Sequence, residues 1–354
     1  MSVSAFDHPV LVGLLGDREV AAFFSAEAEL KAMLDFEAAL AAAEAEKGVI
    51  PEPAGKAIAD AIAGFRPDVE KLRQSTARDG VVVPELVRQL RSAVGKQHGG
   101  HVHFGATSQD ATDTGFALRI VGVLLILEGR IDSLAERLGE LDMRDGAVPV
   151  MAHTRMQAAI EAPASRKILS WREPLLRHRA RLSTVRKEIA VLTFGGAAGT
   201  LDKLGRAGEQ VTAHMAKRLG LGIVPRARHS ERDGQAGLAD WLSLVTGSLG
   251  KMGIDIALAA QNEVGEISLK GGGGSSAMPH KVNPVGAEVL VTLARFNATL
   301  VSGMHQALVH ENERSGAAWT LEWMLLPQMA VATGAALRTA IELTGNIEFV
   351  VKGN

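Results

Sequence analysis

Apolar residues in this chain recur at steps of three and four, not two, and Ala, Leu, Glu and Arg fill the intervals, a pattern that predicts helices. The clearest stripe is Phe116, Ile120, Val123, Leu127, Ile131, Leu134, Leu138 and Leu141, which predicts one helix over about 110–144 with a single bundle-facing side. At 1.5 Å per residue such a helix is roughly 50 Å long; Gly146 and Pro149 mark its end. Similar patterns at about 163–191, 234–266, 286–313 and 321–344 bring the count to five helices, enough for an elongated all-α bundle. An earlier helix follows Ser25, a good N-cap, with Glu27 and Glu29 in its first turn, and stops at Gly48 ahead of Pro51. Residues 1–109 therefore form a smaller N-terminal helical domain and 110–345 the long-helix bundle.

Composition narrows the function. A length of 354 residues suits about two domains. The 47% hydrophobic and 22% charged shares are those of a globular protein, which removes disorder. The net charge of -2, with both signs dispersed, gives no footing for a polyanion, and the absence of Tyr leaves few platforms for single-stranded nucleic acid. The absence of Cys excludes disulfides, thiolate catalysis and Cys-ligated metals. His305, His310, Glu311 and Glu313 cluster, but no H-E-x-x-H spacing occurs, so no metal and no cofactor are expected. The first ten residues lack a signal-peptide pattern, and the longest apolar run, Ile120–Leu127, falls far short of the roughly 18 residues of a membrane span. A cytoplasmic enzyme, binding neither nucleic acid nor membrane, is expected.

Chemistry gathers in the loops. The segment Gly271–Pro284 presents four consecutive Gly, then Ser275, Ser276, Met278, His280, Lys281 and Asn283. Backbone N–H groups freed by Gly can bind an anion, and Lys281 adds a full positive charge; the order is not that of a phosphate loop. The alternative is a plain flexible connector, against which the Ser-His-Lys-Asn clustering counts. A second segment, His101 to Gly115, places Thr107 and Ser108 before the long helix, where free N–H groups and the helix dipole favour an anion. Ser108 as a simple helix cap is the blander possibility. A third segment, Met151 to Ala158, lies ahead of the next bundle helix; alone, Arg155 at a helix start reads as a solvated surface charge.

Gly274-Ser-Ser-Ala-Met-Pro-His-Lys-Val-Asn-Pro284 resembles the G-S-S-x-M-P-x-K-x-N-P signature of the fumarase/aspartase superfamily at every defined position. The resemblance implies that the loop covers the substrate, that Ser275 handles the proton alpha to a carboxylate, and that Lys281 and Asn283, with Met278 beside them, hold that carboxylate. A serine hydroxyl needs activation for such work, which Lys281 and loop N–H groups in a dry site can supply. His103-Phe-Gly-Ala-Thr-Ser-Gln-Asp110 resembles the superfamily's H-x-G-x-T-S-x-D segment. It implies a proton-transfer or binding role for His103 and carboxylate contacts at Thr107, Ser108 and Gln109.

His153-Thr-Arg-Met-Gln157 departs from the R-T-H-x-Q of the lyases: Thr154 and Gln157 match, Arg155 stands at the lyase His, and His153 stands at the usual Arg. A lactone-forming member needs no acid for a departing amine, and an Arg suits a substrate with three carboxylates. Arg314 offers another carboxylate contact, or an ion pair with Glu311 or Glu313. The resemblance further implies a homotetramer with sites shared between subunits. Relatives usually continue into a smaller C-terminal helical domain; residues 346–354 are expected to be a short remnant of it. The competing expectation is an adenylosuccinate-type lyase using His103 and His153 as acid and base. A non-catalytic scaffold of the same fold is disfavoured by the intact Ser-Lys-Asn loop.

Overall fold

The computed structural model describes residues 3–271, 273–274, 278 and 281–351. Helices α1 (Val12–Leu15) and α2 (Arg18–Ala22) lead into α3 (Ala26–Glu46), α4 (Glu52–Gly64), α5 (Val69–Asp79) and α6 (Val83–Val94). The Ser25 side chain accepts from the Ala28 N–H and so caps α3, as its position in the sequence suggests. The long helix α7 spans Ser108–Asp145, 38 residues, or about 55 Å. It is followed by α8 (Ser165–Ile189), α9 (Gly208–Leu219), α10 (Asp233–Ala259), α11 (Val285–Gln306) and α12 (Gly316–Gly345).

The stripe on α7 is the centre of the larger core. Ile120, Val123, Leu124, Leu127, Ile131, Leu134 and Leu138 have no solvent exposure and meet Trp171 and Leu182 of α8, Leu242 and Leu249 of α10, and Met329 and Leu337 of α12. Close contacts fix the directions. Gly234 lies against Glu188, Gly286 against Thr339 and Leu343, and Gly303 against Leu325. So α7, α10 and α12 run one way, and α8 and α11 run back.

A second core fills the N-terminal region from Met33, Phe36, Leu40, Ile58, Leu86 and Leu90, and it also takes in Leu192, Phe194, Leu204, Val211 and Met215. The N-terminal body is thus discontinuous in sequence: α9 and the 190–204 loop pack onto α3. Helices α10 and α11 reach the length and mean hydropathy of a membrane span, 1.3 and 1.2. Half of the most apolar stretch of α10 is buried in the bundle, but only 28% of that of α11.

Two helices stop earlier than periodicity suggests, α10 at Ala259 and α11 at Gln306. A further difference concerns residues 149–163, which form an antiparallel hairpin, β1 (Pro149–Thr154) and β2 (Gln157–Pro163), ahead of α8. Arg155 and Met156 make its tip with φ of 48° and 65°. Two successive positive φ angles give a tight hairpin turn that usually announces itself by Asn-Gly or Asp-Gly, and here it does not. Arg155 therefore stands on a turn, not at a helix start. A second small pair, β3 (Ile267–Leu269) with β4 (Ile347–Phe349), is tied to the end of α7 by the Phe349 N–H donating to Asp145 (3.0 Å).

Candidate active site

The expected site residues fall at the two ends of α7. At its first turn, Thr107 is the N-cap and Ser108 the first helical residue, so the simple capping role belongs to Thr107. Asp110, three positions on, accepts from the Thr107 N–H at 3.0 Å and completes a capping box. The same carboxylate accepts from the N–H groups of Gly195 and Gly196, both at 2.9 Å, and lies 2.8 Å from His229 Nε2. Asp110 thereby ties three segments to one helix end. The approach demands glycine: a Cβ on Gly196, which has φ +70°, would lie 2.6 Å from the Gly105 carbonyl oxygen.

Gln109 is fully buried and spends its amide on the protein. Its Nε2 donates to Asp113 (3.1 Å) and to the His229 carbonyl (2.8 Å), while its Oε1 accepts from Arg314 Nε (2.8 Å). Arg314 also donates to the Ala197 carbonyl, and its bonds run to these groups, not to Glu311 or Glu313. Arg314 is thus brought to the Thr107–Ser108 end with Gln109 orienting it. Among the described residues, no hydrogen bond takes up the Ser108 hydroxyl, which stands where the helix dipole favours an anion.

Beneath this layer lies a buried ionic network that the sequence reading missed. Arg232 donates to Asp113 at 2.7 Å and, bidentately, to Glu322 at 2.8 and 2.5 Å. Trp319 Nε1 donates to the other Asp113 oxygen at 2.9 Å, and His310 Nε2 lies 3.5 Å from Glu322. Burial opposes the charge on Arg232, but Asp113 and Glu322 outweigh it and raise its pKa further; burial likewise opposes ionisation of Glu322, and Arg232 and His310 hold its pKa low. Asp113, Arg232 and Glu322 are each bonded to an opposite charge, and a desolvated set paired in this way fixes geometry. His305, in contrast, pairs with Asp240 (3.0 Å), so His305, His310, Glu311 and Glu313 do not converge, and among the described residues no group of three metal-ligating side chains is assembled.

His103 stands beside the same helix end with Nδ1 2.5 Å from Glu37 Oε1 and a backbone φ of +60°. Its side chain is 12% exposed and that of Glu37 2%. Glu37 was missed, although a signal existed: Met33, Glu37, Leu40 and Glu44 are spaced as one core-facing stripe of α3, and two carboxyls within it are out of place for packing alone.

The far end carries the remaining described residues. His153, Thr154, Arg155 and Gln157 all lie exposed on the hairpin. Among the described residues its polar contacts into the bundle's end are the Met151 N–H donating to Glu266 (2.5 Å) and Lys167 of α8 donating to the Met151 carbonyl (3.4 Å), the same carbonyl that lies 3.1 Å from His153 Nδ1. The 270–284 loop is closed at its base by Gly273 and Asn283, whose backbones exchange bonds of 3.0 and 2.8 Å. A Cβ on Gly273 would sit 2.6 Å from Val285, so the closure needs glycine there. Met278 and Lys281 are exposed, the Lys281 N–H donates to the Met278 carbonyl, and Asn283 Nδ2 reaches the Gly274 carbonyl at 3.5 Å. Ser275, Ser276 and His280 lie outside the described residues. Within one chain, then, His103 and His153 sit at opposite ends of a helix of about 55 Å, which removes them as an acid–base pair in a single subunit.

A long-helix bundle with an anion-favouring helix start and a Ser-Lys-Asn loop is the architecture of lyases acting beside a carboxylate. The family model described as Lyase matches residues 17–303, and the chain belongs to that family, the fumarase/aspartase superfamily. Among its relatives, the 3-carboxy-cis,cis-muconate cycloisomerase of Pseudomonas aeruginosa is 40% identical over 333 residues, covering 92% of this chain and 72% of that protein. The enzyme of the same name from Bradyrhizobium diazoefficiens is 34% identical, covering 96% and 77%. The crystal structure of the 3-carboxy-cis,cis-muconate lactonizing enzyme from Pseudomonas putida superposes with a TM-score of 0.91 at 36% identity, covering 97% and 78%.

Proposed function

We propose that this chain is a cofactor-free cycloisomerase that closes 3-carboxy-cis,cis-muconate to a carboxymuconolactone. The observation that carries the reading is Arg155 in place of the lyase histidine, together with relatives of that name at 34–40% identity. In this step one substrate carboxylate oxygen bonds to an alkene carbon. The alkene electrons move to the carbon alpha to another carboxylate, and that carbon takes a proton. The trianion becomes a dianionic lactone, so one proton is consumed per turnover; Ser275 delivers it, with Lys281 and Asn283 stabilising the carboxylate on which charge accumulates. Thr107 and Ser108 hold a second carboxylate at the start of α7, aided by His103 and Arg314. Arg155, flanked by His153, Thr154 and Gln157, reads the third as a bidentate fork.

Bringing these groups together requires more than one chain, because the two ends of α7 are about 55 Å apart. A homotetramer that pairs bundles in opposite directions places the far end of one subunit on the near end of another. The weakly buried apolar stretch of α11, together with Leu125 of α7, Leu244 and Ile254 of α10 and Met324 of α12, which are exposed at 42–60%, supports such an interface.

Loss of the conjugated-diene absorbance of 3-carboxy-cis,cis-muconate, followed beside adenylosuccinate and argininosuccinate and after exhaustive chelation, tests the activity. Diene loss that survives chelation is expected; fast adenylosuccinate cleavage without it would overturn the reading. For shared sites, subunits carrying Ser275→Ala mixed with subunits carrying Thr107→Ala should recover activity that neither has alone. No recovery, or a fully active monomer by light scattering, would refute them.

A further inference from the structure

The α3 stripe that contains Glu37 continues to Glu44, a carboxyl with no place in the ionic networks above. Glu44 has no solvent exposure, and neither of its oxygens has a hydrogen-bond partner; Glu37 Oε2 is also unpartnered. Glu44 lies directly under the His103 loop: a Cβ on Gly105 would come within 3.8 Å of its Oε1. The charged groups that act on the imidazole are Glu37 from α3, Arg91 from α6 and Asp110 from α7, while Glu44, further along α3, acts on Glu37. Arg91 is anchored on the Val102 carbonyl at 3.0 Å, one residue before His103, and Asp110 is engaged by four donors of its own.

We infer that Glu37 is the positioning residue for His103 and that Glu44 on the same face of α3 stays a neutral acid: Glu37 alone binds the Nδ1 edge as a carboxylate, so that His103 meets the substrate as a cation and not as a base. This rests on the reading that the α7 start holds a substrate carboxylate. A buried cluster of one imidazolium, one carboxylate and one neutral acid carries no net charge, the least costly arrangement once water is excluded. Two ionised carboxyls on one face of α3 would be the costly alternative. The shifts agree: burial opposes a proton on His103 but Glu37 raises its affinity overall, and burial with the Glu37 charge pushes Glu44 up to about 9. The positive φ at His103 is a strained conformation that the 2.5 Å contact with Glu37 helps to hold.

The test is a histidine-selective NMR titration of the full-length protein, with the His103 signal assigned by its loss in His103→Gln. A doubly protonated His103 at pH 7 in the native protein is expected; a neutral ring would overturn the inference outright, whether or not any variant folds. In Glu37→Gln the ring should titrate at lower pH than in the native protein, and an unmoved titration would remove Glu37 from the role. Glu44→Gln, a neutral group for a neutral group, should leave the ring unmoved below pH 8; a drop there would show that Glu44 is ionised and overturn its assignment. In kinetics on the tricarboxylate, Glu37→Gln should raise KM about tenfold with a smaller change in kcat, whereas a hundredfold fall in kcat at constant KM would mean His103 is a base. The NMR arms need no substrate, so failure of the lactonizing activity and failure of this inference remain distinguishable.

Discussion

The two ends of α7 present the same kind of polar residues in opposite physical states. At the near end Gln109, Asp110, Asp113, Arg232 and Glu322 are at most 7% exposed; Arg232 joins Asp113 to Glu322, and Gln109 joins Arg314 to the His229 carbonyl, through contacts between residues 90 to 205 apart in sequence. At the far end His153, Arg155 and Lys281 lie exposed on a hairpin and a glycine loop with almost no side-chain partners among the described residues. Preorganised dipoles bind charge without paying reorganisation cost at the moment of reaction. Exposed arms suit parts that engage only when another subunit or a substrate arrives. The lesson is that variants at the near end should report on stability as well as activity, and variants at the far end on activity alone.

The largest effect separates the ends most sharply. Arg232→Leu leaves Asp113 and Glu322 buried without their cation and should cost about 3 to 5 kcal/mol of stability, seen as a large fall in Tm by calorimetry. A Tm within experimental error of native would show that the network does not hold the near end.

Next is Ser275→Ala, which should lower kcat by about 100-fold or more while Tm stays native, the usual span for a positioned acid or base. If Ser276→Ala proves the crippling change instead, the proton donor is the neighbouring hydroxyl.

Arg155→Ala should cut kcat/KM by about 1.5 to 3 kcal/mol through KM, the worth of a charge-assisted hydrogen bond. Its Tm should not move, because the side chain is exposed. Arg155→Lys should recover only part of the loss, since a point charge cannot reproduce a planar fork. With cis,cis-muconate lacking the 3-carboxyl group, the Ala variant should lose far less relative to native. Equal losses on both substrates would show that Arg155 does not read the extra carboxylate.

The last effect is a pH dependence. With its pKa raised from 4.5 to about 9, the Glu44 contribution is fully present below about pH 4.5 and is lost as pH rises toward about 9, because the native state keeps a proton that the unfolded chain releases. Glu44→Gln should therefore narrow the gap in Tm between pH 6 and pH 9. An unchanged gap would mean that Glu44 ionises normally in the folded chain.

How much of this was legible beforehand differs by residue. The stripe from Phe116 to Leu141 was enough to place the long helix and the bundle, because burial of one helical face is written in a local period of 3.6. The Thr107–Ser108 helix start and the Ser-Lys-Asn loop were legible as short contiguous patterns. The Arg155 turn was not, since two non-glycine residues adopt positive φ there without the usual turn residues.

By itself, then, the sequence determined the helical class, the order of the long helices and which loops gather the candidate side chains, because each depends on residues a few positions apart. Only the tertiary structure decided which of those loops meet. Arg314 reaches Gln109, Arg232 joins Asp113 to Glu322, and Glu37 finds His103. Those pairings bridge 66 to 205 positions and are selected by how buried charges find compensation once water is gone, a constraint with no local period. The same structure set His153, Arg155 and Lys281 past the opposite end of a helix of about 55 Å from Thr107, because a rigid helix of 38 residues cannot fold back on itself to bring its ends together.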